Sequence, residues 1–405
     1  MGHRSGALAV YAVCLTAGLW AQTGGQPDPA ARAAQPFSQA SLPASLPAST
    51  PASTPASTPA STPASTPASL PASTQADPVL KLRPPPKPGV VKDPPGRIRL
   101  DVVVTDAAGN PVAGLGAQDF QLLDNGRPQN ILSFTASQSG ATASRVPILL
   151  VIDTVNSGAV DVSSLREDAE QFLRQNGGHL AQPVTVLLLT DTAFHVLGRD
   201  SLDGNALARA VHDFAPSLHT IHSAAGGAAV FERYRVSLRA ISLIADREVE
   251  VPGRKMMIWM GPGWPILPEA GSNYDSREHA LNFDTLAMLS NHLREARMVV
   301  CSAGGGPEYF AHDFLKPVKT EWDMAPGNLS LQVIAVHSGG STWGVAQNGR
   351  SVEAVNGCMR QAGAFYTLTF DAPASAKVFT YHGLKVAVDR PGLTAHTNAG
   401  YYSEP

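Results

Sequence analysis

The spacing of apolar residues changes character several times along this chain. From Arg97 to Thr105, Ile98, Leu100, Val102 and Val104 alternate, which predicts a half-buried strand. Asp106 to Pro111 reads as a turn, and Asp124-Asn125-Gly126 predicts a hairpin, since Asn and Gly accept positive φ. Pro128 to Phe134 is the expected return strand. The pattern then becomes continuous. Pro147–Asp153, Val184–Leu189, Lys255–Met260 and Met298–Cys301 are apolar runs of the kind buried on both faces in a parallel sheet.

Helical spacing separates these runs. Ser164 to Gln175 places Leu165, Ala169, Phe172 and Leu173 together, with Gly177 as the expected C-cap. Ala228 to Ala245 aligns Phe231, Tyr234, Leu238 and Ile241, and Leu281 to Ala296 aligns Leu281, Thr285, Met288, Leu289 and His292. Leu329 to Val336 and Val352 to Ala362 complete the helices. Alternation then returns in Phe365–Phe370 and Leu384–Val388, and Leu393 to Tyr401 suggests one more strand. The fold class expected is α/β, with a largely parallel sheet over 145–363. A small β-sandwich-like module, built from N-terminal strands (97–140) and C-terminal strands (364–405), flanks it.

Residues before Arg97 read differently. His3 and Arg4 precede an apolar run from Gly6 to Leu19, and Leu19-Trp20-Ala21 ends in a small residue, the order of a secretory signal over 1–21. Residues 22–96 are a spacer rich in Pro, Ala, Ser and Thr. In it a Pro-Ala-Ser-Leu or Pro-Ala-Ser-Thr unit repeats from Pro43 to Thr74 without a large apolar face to bury. The reading is an exported protein, periplasmic, cell-surface or secreted, with no transmembrane helix in the mature chain. Export bears on the cysteines. Cys14 leaves with the signal, and Cys301 and Cys358 remain as a candidate disulfide or as two small buried residues. The 30 basic and 33 acidic residues give a formal net charge of −3, which argues against nucleic acid as the partner.

Several blocks together resemble a known family: Val102-Val-Val-Thr-Asp with Asp119-Phe-Gln-Leu-Leu-Asp-Asn-Gly, Leu149-Leu-Val-Ile-Asp-Thr-Val-Asn, Gly253-Arg-Lys-Met-Met-Ile-Trp, Tyr366-Thr-Leu-Thr-Phe, and Arg390-Pro-Gly-Leu with Gly400-Tyr-Tyr. The chain resembles the VWFA-related proteins abundant in Acidobacteria, which carry a divergent von Willebrand factor type A domain. The resemblance implies a Rossmann-like fold and an exported protein, and no defined activity. It also implies a place to look for a divalent metal, at the strand tips, where standard A domains use Asp-x-Ser-x-Ser, a loop Thr and a later Asp. Here the first motif is Asp153-Thr154-Val155-Asn156-Ser157. Asp153 and Ser157 match as metal ligands. Val155 supplies no oxygen, and Gly261-Pro262-Gly263 stands where the later Asp is expected. Thr220 is the loop candidate, and Asn156 or Asp191 could compensate. Mg²⁺ or Ca²⁺ would suit such oxygens. The expectation is a degenerate site without a cofactor, in which Asp153 satisfies nearby loop amides.

No Gly-x-Ser-x-Gly elbow, Walker loop, His-Glu-x-x-His or Cys-x-x-Cys occurs. His219 and His222 alone are weak evidence for zinc. The leading expectation is a non-catalytic protein-binding or adhesion module for a protein or envelope ligand, using the tip face around Asp153, Ser157, Gly261 and Trp264. A metal-dependent version of the same binder and an envelope hydrolase with an unrecognised site are the alternatives.

Overall fold

The chain pairs its first strands with its last, and this sets the architecture. The computed structural model describes residues 94–137, 145–214, 226–264, 276–304, 312–344, 350–375 and 377–404, all within one compact unit. The expected signal and nearly all of the expected spacer lie outside these residues.

Strand β1 (Arg97–Thr105) is followed by β2 (Phe120–Asp124) and β3 (Arg127–Gln129), joined by the hairpin at Asn125 (φ 48°) and Gly126 (φ 78°). The expected single return strand is instead two. β3 pairs with β2, and β4 (Ser133–Ser137) crosses to the other sheet. The chain then runs β5 (Ile148–Asp153), α1 (Ala159–Leu173), β6 (His179–Leu189), β7 (Phe194–Asp203), α2 (Gly204–Asp213), α3 (Gly226–Val249), β8 (Lys255–Met260), α4 (Ser276–Glu295), β9 (Met298–Ala303), α5 (Leu331–His337), β10 (Thr342–Trp343) and α6 (Val352–Arg360). It closes with β11 (Phe365–Asp371), β12 (Tyr381–Val388), β13 (Thr394–His396) and β14 (Gly400–Tyr402). The last two replace the one strand expected over Leu393 to Tyr401, and they lie in different sheets.

The central sheet has the order β10-β9-β8-β5-β6-β7, parallel except for β7 at the edge. Numbered by appearance in the chain, this is 3-2-1-4-5-6 read from the β7 edge, and the order reverses between β5 and β8. One face packs on α3, α4 and α5, the other on α1, α2 and α6. Strands covered on both sides need apolar residues at every position, which accounts for the uninterrupted burial of β5, β8 and β9. Two antiparallel sheets, β13-β1-β11-β4 and β14-β12-β2-β3, enclose a second core of Leu100, Val102, Leu122, Leu368, Phe370 and Val386 among others. Each sheet mixes strands from both ends of the chain, so the α/β part is an insert within this module.

The alternation in β1 is misleading, because its polar-looking face is buried too. Asp101 takes a bidentate pair from Arg297 (2.9 and 2.5 Å) and a hydrogen bond from Thr367 (2.8 Å), while Val103 joins the α/β core. Arg254 stacks on the Phe365 ring at 4.9 Å. Arg254 and Arg297 immediately precede β8 and β9, so the β-module attaches at the N-terminal ends of these strands. On the same side, the Asn291 side-chain amide donates to the Tyr402 carbonyl (2.8 Å) and accepts from its N–H (3.0 Å), which seals the edge of β14. The C-terminal strand tips face away from the module. On α4 the large apolar residues that are buried are Leu286, Leu289 and Leu293; Leu281 and Met288, expected inward, are exposed, as is Phe231 on α3.

Candidate functional site

In a sheet whose strand order reverses, the carboxyl ends of the strands at the reversal splay apart and form the usual ligand crevice. Here that point lies between the ends of β5 and β8, at Asp153 and Gly261. Asp153 is the last residue of β5 and is fully buried. Its Oδ1 accepts from the backbone N–H groups of Val155 (2.9 Å) and Asn156 (3.1 Å). Its Oδ2 accepts from Asn156 Nδ2 (2.7 Å) and from the indole Nε1 of Trp259 (2.9 Å). Burial raises the carboxyl pKa above the ordinary value, and these four donors act against that rise.

The neighbouring residues complete a closed network. Ser157 turns its hydroxyl inward to donate to the Asp153 carbonyl (2.9 Å), and Thr154 does the same to Leu189 (2.6 Å). Asn156 Nδ2 also reaches Ser237 Oγ on α3 (2.8 Å), and Ser237 donates on to the Arg233 carbonyl (2.9 Å). Gly261 adopts φ 143°, and a Cβ there would stand 3.0 Å from the Asp153 Cβ. Its N–H donates to Ala303, and Gly304 donates to Trp343 (2.7 Å), so successive strand tips are tied to each other.

Of the residues proposed from sequence, Asp153, Asn156, Ser157 and Gly261 meet at this tip. Asp191 lies just beyond β6, partly exposed, and no hydrogen bond among the described residues joins it to Asp153. Thr220 falls outside the described residues, as do His219 and His222. Trp264 requires a correction. It is a core residue, 1% exposed, set edge-on to Trp259 at 5.0 Å, with its Nε1 donating to the Leu329 carbonyl (2.8 Å). A buried indole with a satisfied N–H contacts no external ligand. For Trp259 the sequence favours a core or loop-packing role over one lining the tip surface, and does not mark its hydrogen bond to Asp153. Its position near the end of the strand beside β5 was the one available signal.

A divalent metal was the cofactor considered, and the donor set does not fit one. Asp153 has no unfilled acceptor position, Val155 is hydrocarbon, and Gly261 leaves no space for a carboxylate. Cys301 on β9 and Cys358 on α6 form a disulfide, with Sγ–Sγ 2.04 Å and Cα–Cα 5.9 Å. A separate polar cluster joins β2, β12 and β14. Asp124 lies 3.0 Å from His382 Nδ1 and accepts from the Tyr401 hydroxyl (2.8 Å), all three being buried in the sandwich. It holds these strands together. Among the described residues, no helix is long and apolar enough to cross a membrane.

No protein-family model and no curated protein matches the chain. Solved structures with some likeness include the human COPII-coat protein Sec24c (10% identity, TM-score 0.28, 64% of this chain and 44% of that one). Others are proximal thread matrix protein 1 from the mussel byssus (10%, 0.25, 50% and 49%) and the pilus adhesin SpaC from Lactobacillus rhamnosus GG (11%, 0.32, 72% and 43%). The chain spans less than half the length of each of these structures.

Proposed function

We propose that this chain is an exported, non-catalytic protein-binding or adhesion module built on a divergent von Willebrand factor type A domain. The observation that carries the reading is the 3-2-1-4-5-6 sheet with Asp153 at its reversal, the Rossmann-like order that the sequence resemblance implies. Around that point Asp153, Asn156 and Ser157 are hydrogen-bonded to one another, and Thr154 to the Leu189 carbonyl, so these side chains are spent on the fold itself. The buried Cys301–Cys358 disulfide supports export, because such bonds persist in oxidising compartments. The β-module at the opposite pole supports a tethered arrangement with the tips outward.

The test has two parts. The chain is recovered from cells and its N-terminus sequenced; a start at Gln22 in the envelope or medium supports export, and a cytoplasmic chain retaining Met1 overturns it. The immobilised full-length chain is then used to capture partners from an envelope extract, and each captured protein is purified and titrated. Saturable binding that leaves the partner chemically unchanged supports the module reading. Cleavage of the captured molecule, or no saturable partner, overturns it.

A further inference from the structure

The way Asp153 is satisfied has a consequence for how the tip works. A buried carboxylate must have its charge compensated. A divalent cation would do so with its own charge, and Mg²⁺ or Ca²⁺ would require six or more oxygen ligands. The β5 tip does so with N–H groups alone: two backbone amides, the Asn156 amide and the Trp259 indole, all within 3.1 Å. Asn156 carries the network on to Ser237, so β8, β5 and α3 are joined through one carboxylate. Within this network Asn156 Oδ1, a neutral oxygen, has no hydrogen-bond partner among the described residues.

We infer that Trp259 and Asn156 replace the cation of an A-type strand tip, so that this tip is held in one arrangement by internal donors and works without a divalent metal. The inference rests on the A-type reading above. It also narrows the recognition chemistry. A partner does not bind by placing its own oxygen on a metal, and it is held through the exposed surface around the tip instead.

The test is a metal titration of the full-length chain. Mg²⁺, Ca²⁺ and Mn²⁺ are added to about 10 mM, well above the Kd of weak extracellular sites. Terbium emission excited through tryptophan is followed in parallel, since Trp259 lies against the carboxylate. The expected result is no saturable heat or emission, and a Tm that moves by less than about 1 °C between chelator and calcium. Saturable binding that Asp153→Asn abolishes overturns the inference. Asn156→Ala supplies a second measurement. It should lower Tm by the same amount, about 3–8 °C, with or without cation. A loss seen only when metal is present also overturns the inference. Neither measurement requires a partner, so failure to capture one leaves this result standing.

Discussion

Breaking the Cys301–Cys358 bond is the perturbation whose cost follows most directly from the chain path. The bond closes a loop with a sequence separation of 57. The chain-entropy relation assigns such a loop about 4 kcal/mol at 25 °C, through the freedom that the unfolded chain is denied. Both residues are fully buried in the core beneath α6, so reduced thiols would stay in apolar surroundings and add little cost of their own. Reduction of the wild-type chain is therefore cleaner than substitution, which would also open a cavity. The assay is equilibrium unfolding in guanidinium chloride of oxidised protein and of protein unfolded, reduced and refolded under reductant. Alkylation in denaturant should label neither Cys301 nor Cys358 before reduction and both after it. The expected loss of about 4 kcal/mol appears as a lower midpoint. Labelling of Cys301 and Cys358 without reductant, or a loss below about 1 kcal/mol, would refute the reasoning.

Three further outcomes are expected. Asn291→Ala leaves the N–H and C=O of Tyr402 unpaired in a buried seam and should cost about 2–4 kcal/mol by denaturant unfolding; a loss under about 0.5 kcal/mol would remove the clamp from the account. Gly261→Asp, which puts a carboxylate back where the A-type pattern has one, should destabilise by about 1–3 kcal/mol or more and create no cation response, because of its φ and its contact with Asp153; a variant that gained both stability and calcium binding would refute this. Burial holds the His337 imidazole below its ordinary value of 6.5, so the folded state resists a proton that the unfolded chain accepts. Stability is then full above pH 6.5 and falls as the pH drops toward the folded-state value. His337→Gln should flatten that slope in Tm against pH, and an unchanged slope would exonerate His337.

The fold was legible in the sequence wherever burial covered both faces of an element. Ile148–Asp153, Lys255–Met260 and Met298–Ala303 showed as apolar runs because no position in them meets water. Strand β7 was not legible. It is an edge strand, partly exposed, with an irregular register against β6 and a glycine at 198 lying beneath Leu207, so neither alternation nor a run marks it. Helix α4 carries two competing stripes, Leu281/Thr285/Met288 and Leu286/Leu289/Leu293. Packing against α3 and β14 selects the second, and spacing within the helix carries no trace of that choice. At the site, sequence placed Asp153, Asn156, Ser157 and Gly261 together through their positions at strand ends. It could not place Trp264, whose burial depends on the Leu329 carbonyl 65 positions away. Asp101 looked solvent-facing for a related reason, since its partner Arg297 is supplied by the loop before β9.

The interleaving of first and last strands also fixes an order of events in time. Asp101 finds Thr367 across 266 positions, and among the described residues β1 pairs with β11 and β13, both of which follow the whole α/β insert. At typical rates of synthesis, roughly 15–50 s separate the emergence of these two residues from the ribosome. During that interval β1 is an apolar strand with open edges, and the insert can complete its sheet first. The sandwich can close only after the C-terminal strands emerge, at the N-terminal pole of the insert, and until then the open edges of β1 can mispair with a second copy.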